Sequence, residues 1–417
     1  MSRFAQELRL FLRQRLAVPT LALLALLAAV SVAAGVTEIR RQAETIVRIQ
    51  PLQAAEEAAV SAWVSRDGDA GNAAYYTFHA TWDRPSALAF AALGQRDVAP
   101  YVLRVRALAL ESQIHEGESY NAELALPGRF DWAFVLTFLA PLILIVLLHD
   151  LISGEREAGR LQALQAAGGR AGLWTRRAGL RLGLVFVAVA APFVAGAAVS
   201  GAAAAEVLAV LAVASLYLLF WALVCLGVGA LGRSSVANGA VLAATWVVLT
   251  LVLPALAHIA INSANPVRQG VELTLAQREA VHAGWDKPKD ATLTAFFGVH
   301  PEWRDTPPVT SGFHWKWYYA FQHLGDLSVA DPVRAYRRGL ESRDAWTARV
   351  GLVLPAVGLQ TTLHRMAGTD LAAQLAYQDR IRAFHERLRR FYYPYIFNET
   401  PFREGDFAKA PRWAEGD

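Results

Sequence analysis

The charged residues with the most suggestive spacing lie in one short stretch, Ser153-Gly154-Glu155-Arg156-Glu157-Ala158-Gly159-Arg160-Leu161. Alternating Glu and Arg can offer ion pairs to a soluble partner, and glycines at 154 and 159 permit a tight change of direction. A solvated loop beside a membrane span accounts for the same residues equally well. Other chemistry is sparse. The chain has no G-x-x-x-x-G-K-[ST] phosphate loop, so it does not bind a nucleotide that way. His115-Glu116 has no histidine three residues on, which excludes an H-E-x-x-H zinc helix. No G-x-S-x-G nucleophile elbow occurs. The ten histidines are scattered. His314 and His323 lie near aromatics and could bind a metal, although packed or surface histidines are the plainer reading. Asp67-Gly68-Asp69 lacks the further spaced acids of an EF-hand loop and reads as a turn.

The elements that must position the charged stretch are membrane spans. The chain has 417 residues, 54% of them hydrophobic, and only 18% are charged. The apolar residues fall in long blocks, the mark of an integral membrane protein. A formal charge of +4 could suggest nucleic acid, but the arginines cluster beside apolar blocks, where a positive-inside bias explains them. The single cysteine, Cys225, excludes an intrachain disulfide.

Residues 1–36 hold an amphipathic helix (Phe4, Leu8, Phe11 and Leu12 at helical spacing) and a first span over Leu16 to Val36. That span exceeds the usual h-region of a cleaved signal peptide, so retention is expected. Residues 37–131 form a soluble insert, with a helix over Gln42 to Val64 and a loop over Ser65 to Asn72. Residues 132–261 carry spans two to five, at about 132–149, 182–204, 207–231 and 236–261. Pro141 should kink the second span, or mark where a neighbouring helix satisfies the freed carbonyl. Between the second and third spans, residues 150–181 form a basic elbow that belongs in the cytoplasm.

Residues 262–417 contain no further membrane-length run. Val350 to Leu359 is too short to span and reads as a core or interfacial segment. Thr369 or Asp370 can cap a helix running to about Phe391, with Tyr377, Ile381, Phe384, Leu388 and Phe391 in one apolar stripe. Its other face, Arg380 to Arg390, reads as a solvated basic surface, or a contact for anionic headgroups. The aromatics from Phe313 to Phe321 read as a hydrophobic core before a ligand-stacking platform. No acid or base sits mid-span, which argues against an ion-coupled carrier.

The elbow resembles the signature of the type-2 ABC exporter permeases, which include the permease of the nitrous-oxide-reductase maturation system. In that family a G-E-R-E-x-G-x-L segment after the second span docks on a separate ATPase. The resemblance implies that Gly154, Glu155, Arg156, Glu157, Gly159 and Leu161 carry that docking. Arg160 stands where many members have threonine. His300-Pro301-Glu302-Trp303, the Phe313 to Tyr319 aromatics and Ala367-Gly368-Thr369-Asp370-Leu371 resemble a subfamily with large extracytoplasmic inserts. Six spans are the commoner family arrangement, against five here.

The expected protein is therefore an all-α bacterial inner-membrane permease subunit. It has about five transmembrane helices and two mainly helical extracytoplasmic domains. Its expected partners are an ABC ATPase subunit, a second permease copy or homologue, and membrane lipids, with no nucleic acid. It needs no cofactor, and ATP acts only through the partner chain. The rival class is a membrane-anchored extracytoplasmic binding or scaffold protein. An intramembrane or periplasmic enzyme is disfavoured by the missing catalytic constellation.

Overall fold

The computed structural model describes residues 3–64, 66, 68–116, 130–168, 170–309 and 312–414. Among the described residues it is 76% helical and its strands form one antiparallel pair, so the all-α class holds. Among the described residues, five helices are long and apolar enough to cross a membrane.

Helix α1 (Arg3–Leu12) presses Phe11 into the bundle. Helix α2 (Ala17–Val64) runs unbroken for 48 residues. The sequence suggested a span and then a separate helix. The two fuse because Thr37 to Arg41 contains no Gly or Pro, and Glu38 pairs with Arg41 one turn on at 2.7 Å. Helix α3 (Ala70–Tyr76) starts inside the expected loop. Asp69 caps it, accepting from the Gly71 and Asn72 amides at 2.8 and 3.2 Å. Ser65, Asp67 and Tyr120 fall outside the described residues. Strands β1 (His79–Trp82) and β2 (Val102–Val105) pair with His79 opposite Val105. Gln53 of α2 receives the Ala80 amide at 2.9 Å and donates to the Phe78 carbonyl, covering one sheet edge.

Helix α4 (Glu111–Ile114) precedes α5, over 132–148, which Asp131 caps through the Phe134 amide at 2.8 Å. A π turn at Val135–Leu139 lies just before Pro141. Proline cannot donate to the Thr137 carbonyl, and the Tyr217 hydroxyl takes that place at 2.7 Å. The neighbouring-helix alternative for Pro141 is thus the one realised.

Helices α6 (Ser153–Glu157) and α7 (Leu161–Gly168) form the elbow. Helices α8 (Arg170–Ser200), α9 (Ala204–Ala230) and α10 (Ser235–Ala264) complete the spans. At the end opposite the elbow, buried Phe90 is wedged between α2 and α8. A Cβ on Gly35 would lie 2.0 Å from the Phe90 carbonyl oxygen, and one on Gly196 would lie 2.6 Å from its ring.

Helices α11 (Gly270–Ala283), α12 (Lys289–Val299), α13 (Trp315–Ser328), α14 (Ala330–Gly351), α15 (Pro355–Ala367), α16 (Leu371–Phe397) and α17 (Glu404–Phe407) make up the rest. Asp370 caps α16 as expected, through the Ala373 amide at 3.1 Å. One apolar core joins the insert to the C-terminal region: Val64, Ala73, Val105 and Leu110 cluster with Phe296, Tyr319, Phe384 and Tyr392. The 350–359 segment is the tip of a tight α14–α15 hairpin. Leu352 and Val353 there are 87% and 77% exposed, while Leu359 and Leu363 pack into the membrane-helix core.

The insert and C-terminal region also share a buried charge cluster. Arg382 grips Glu111 with two hydrogen bonds, at 2.8 and 2.9 Å, and His115 lies 3.2 Å from the same carboxylate. Burial alone would raise this carboxyl. The hydrogen bonds from His115 and Arg382 outweigh it and bring the carboxyl down to about 2. The depressed folded-state value means the stabilisation is present above the ordinary value of 4.5 and lost as pH falls towards about 2. Thermal unfolding of the full chain in detergent should therefore weaken across that window. Glu111→Gln should flatten the acid limb and lower the melting temperature at neutral pH. An unchanged acid limb in the variant would show that other groups set it.

Candidate functional site

The elbow begins where α5 ends, and its side chains are committed inside the chain. Glu157 accepts from the Ser235 amide at 2.6 Å and the Ser235 hydroxyl at 2.8 Å, so it caps the start of α10. Arg156 donates to the Arg233 carbonyl in the α9–α10 turn. Ser153 meets Ser235 at 2.8 Å, and Asn238 reaches back to the His149 carbonyl and the Ser153 hydroxyl, both at 3.3 Å. Glu155 faces the other way. It accepts from Arg160 at 2.8 Å and from Arg177 of α8 at 2.9 Å, and Arg177 also holds Glu7 of α1 at 3.0 Å. Three successive charged residues thus tie the elbow to α1, α8 and the α9–α10 turn.

This differs from the expected display of free ion pairs. Glu155 and Arg156 are half-buried, and the exposed face is Glu157, Ala158, Gly159, Arg160, Gln162 and Ala163, with Leu161 half-buried. The two glycines also separate. Gly159 has φ +70° with open space around it, so its backbone conformation is what favours glycine. Gly154 is helical, and an added Cβ would make ordinary contact with Asp150, so the turn does not require it. Between α1, the elbow and α8 lies a cavity of about 340 Å³ lined by Glu7, Phe11, Glu155, Arg160, Arg177 and Arg181. Sequence spacing did not bring Glu7 into this group. The i, i+3, i+4 apolar face of residues 4–12 was the available signal, because it lays that helix along the bundle.

Residues 271–415 match a family model described as a domain of unknown function, DUF3526. No curated protein and no solved structure matches the chain. The matched region covers α11 to α17 and leaves the elbow and all five membrane-length helices outside it.

Tyr319, Phe321 and Trp317 are buried, so the Phe313 to Phe321 aromatics are mainly core. His314 caps α13 through the Lys316 amide at 3.2 Å. His323 faces His300. Burial, then the nearby Arg389 cation, pushes its imidazole down to about 2. The basic stripe of α16 is neither solvated nor free for headgroups over most of its length. Arg380 pairs with Asp83, Arg382 with Glu111 and buried Arg389 with Asp326, half-buried Arg387 lies over the Phe384 ring at 5.5 Å, and Arg390 alone of these five is exposed. The carboxylates that turn these arginines inward lie in the insert and on α13, remote in sequence. That is why the stripe by itself suggested a surface.

Proposed function

We propose that the chain is the membrane-spanning permease subunit of an ATP-driven ABC-type exporter. The single observation that carries this reading is the elbow's three-way tie. A load applied to α6 and α7 reaches α1 and α8 through Glu155 and Arg177, and α10 through Glu157 and Ser235. A subunit with no phosphate loop of its own needs such a connection to a motor on one side of the membrane. The exposed strip at Glu157 to Gln162 supplies the contact surface, and the half-buried Glu155–Arg177 pair and the Glu157–Ser235 cap transmit the motion. On this reading the elbow, rich in Arg156, Arg160, Arg176, Arg177 and Arg181, is cytoplasmic, and the insert and C-terminal region lie outside the bacterial inner membrane. A second permease copy or homologue and membrane lipids complete the assembly.

The test is affinity purification of the full chain in detergent from its native membranes, with ATPase activity assayed. An ATPase should co-purify. Arg160→Glu should weaken its association about tenfold, equivalent to ~1.4 kcal/mol. Glu155→Ala should leave the partner bound but its hydrolysis unresponsive to the permease. A folded chain that captures no ATPase would remove this reading and leave a membrane-anchored scaffold.

A further inference from the structure

We propose that His300 and His323 form a two-histidine binding site for a tetrahedral divalent transition ion of the zinc class. His300 follows α12, and His323 lies on α13, 23 residues later. Their Nε2 atoms stand 3.3 Å apart. Two imidazole nitrogens on one tetrahedral zinc, each about 2.0 Å from the metal, would be separated by about 3.3 Å.

The outer ring nitrogens are already occupied in the manner of metal-ligating histidines. The His300 Nδ1 lies 2.8 Å from the Glu302 carboxylate. A carboxylate accepts only, so the proton belongs on that Nδ1 and the Nε2 presents a lone pair. The His323 Nδ1 lies 3.0 Å from the Tyr393 hydroxyl. If it donates there, a second lone pair faces the first across the 3.3 Å gap, an arrangement that an intervening cation stabilises. The Glu302 carboxylate behind His300 fixes that ring's orientation and raises its basicity, and the Tyr393 hydroxyl orients His323. The Phe296 ring packs against His300, with centroids 4.8 Å apart, and stacks on Phe397 at 4.8 Å, which holds the ring in place.

The site is open on one side. The His300 side chain is 19% exposed, and Glu302 beside it is exposed. No group of three or more His, Cys, Asp or Glu side chains positioned to hold a metal ion is found among the described residues. The two remaining positions on the metal are therefore left for water or an incoming ligand. Such a site exchanges its ion; it is not a closed structural zinc. The inference is independent of the transport reading, since it needs neither an ATPase nor the elbow.

Two readouts test it. The full chain in detergent, stripped with a chelator, is titrated with Zn²⁺ by calorimetry and with Co²⁺ by visible absorption. One ion per chain should bind, and Co²⁺ should give the intense absorption of a tetrahedral centre. His300→Gln and His323→Gln should each weaken Zn²⁺ binding at least tenfold, and Glu302→Gln should weaken it about tenfold as a supporting group. Should His323→Gln fail to fold, the His300→Gln variant, at a partly exposed position, and the exposed Glu302→Gln variant carry the test, with metal-free melting profiles matching the parent. No Zn²⁺ uptake by the parent, or equal uptake by the His300→Gln variant, overturns the proposal. It would leave an ordinary Nε2–H to Nε2 hydrogen bond between the rings.

Discussion

Replacing Arg389 by Met should destabilise the protein by about 3–5 kcal/mol, the range for removing one partner of a buried ion pair. Its guanidinium donates to Asp326 at 2.7 Å and to the Leu108 carbonyl at 2.8 Å, and both charged side chains are buried. Asp326 also accepts from the Leu110 and Glu111 amides at 3.0 and 3.2 Å and from Gln277 at 3.3 Å. Burial pushes this carboxyl up, while Arg389 and the two backbone amides hold it down. Without the guanidinium the carboxylate must take up a proton or open the structure to water. The lost contacts tie 108–111 of the insert to α13 and α16, so the insert should also become protease-sensitive. Arg390→Met, one residue on at an exposed position, should shift stability by less than about 0.5 kcal/mol. Thermal melts that place the two variants together would show that the Asp326 pair is not a keystone of this region.

Gly35→Val should have an effect of similar size in the membrane bundle. The added Cβ would meet the Phe90 carbonyl oxygen at 2.0 Å and its carbonyl carbon at 2.9 Å. Both are backbone atoms, so no side-chain rotation relieves the contact. Phe90 cannot retreat easily, because its ring stacks on Phe193 at 5.8 Å, which stacks in turn on Trp132 at 4.5 Å. Overpacking of a filled core commonly costs about 1–3 kcal/mol, and a backbone obstruction belongs at or beyond the upper end. The expected result is a polydisperse, low-melting protein in detergent. Gly183→Ala, where an added Cβ meets nothing within 4 Å, should behave as the parent. If Gly35→Val melts like Gly183→Ala, the wedge at Phe90 does not hold α2 against α8.

The spans were legible because each needs only a long apolar run, and that property is local. Pro141 was legible for the same reason: a missing amide must leave a carbonyl to be satisfied somewhere. That Tyr217 satisfies it was not, since the partner lies 80 positions from Thr137. The elbow residues could be picked out, but their partners could not. Glu157 capping Ser235 and Glu155 holding Arg177 depend on how helix ends converge in space. The α16 arginines failed as a surface for the same reason. Their acids sit on other elements, and amphipathicity within one helix cannot distinguish a solvated cation from one buried beside an unseen carboxylate. The β pair was missed because each strand has only four residues, with apolar alternation too brief to register.

The continuity of α2 has a mechanical consequence. At 1.5 Å per residue its 48 residues follow a helical path of about 72 Å, and the part beyond Val36, with Pro51 inside it, makes an arm of at most about 42 Å. An arm of that length turns a tilt of about 10° into a tip displacement of roughly 7 Å. The tip, at Val60 and Val64, is embedded in the core shared by the insert and the C-terminal region. The membrane bundle and the body beyond it are therefore geared together. A small reorientation of the first span is amplified at the far end, and a load on the body beyond the bundle is delivered to the first span with mechanical advantage.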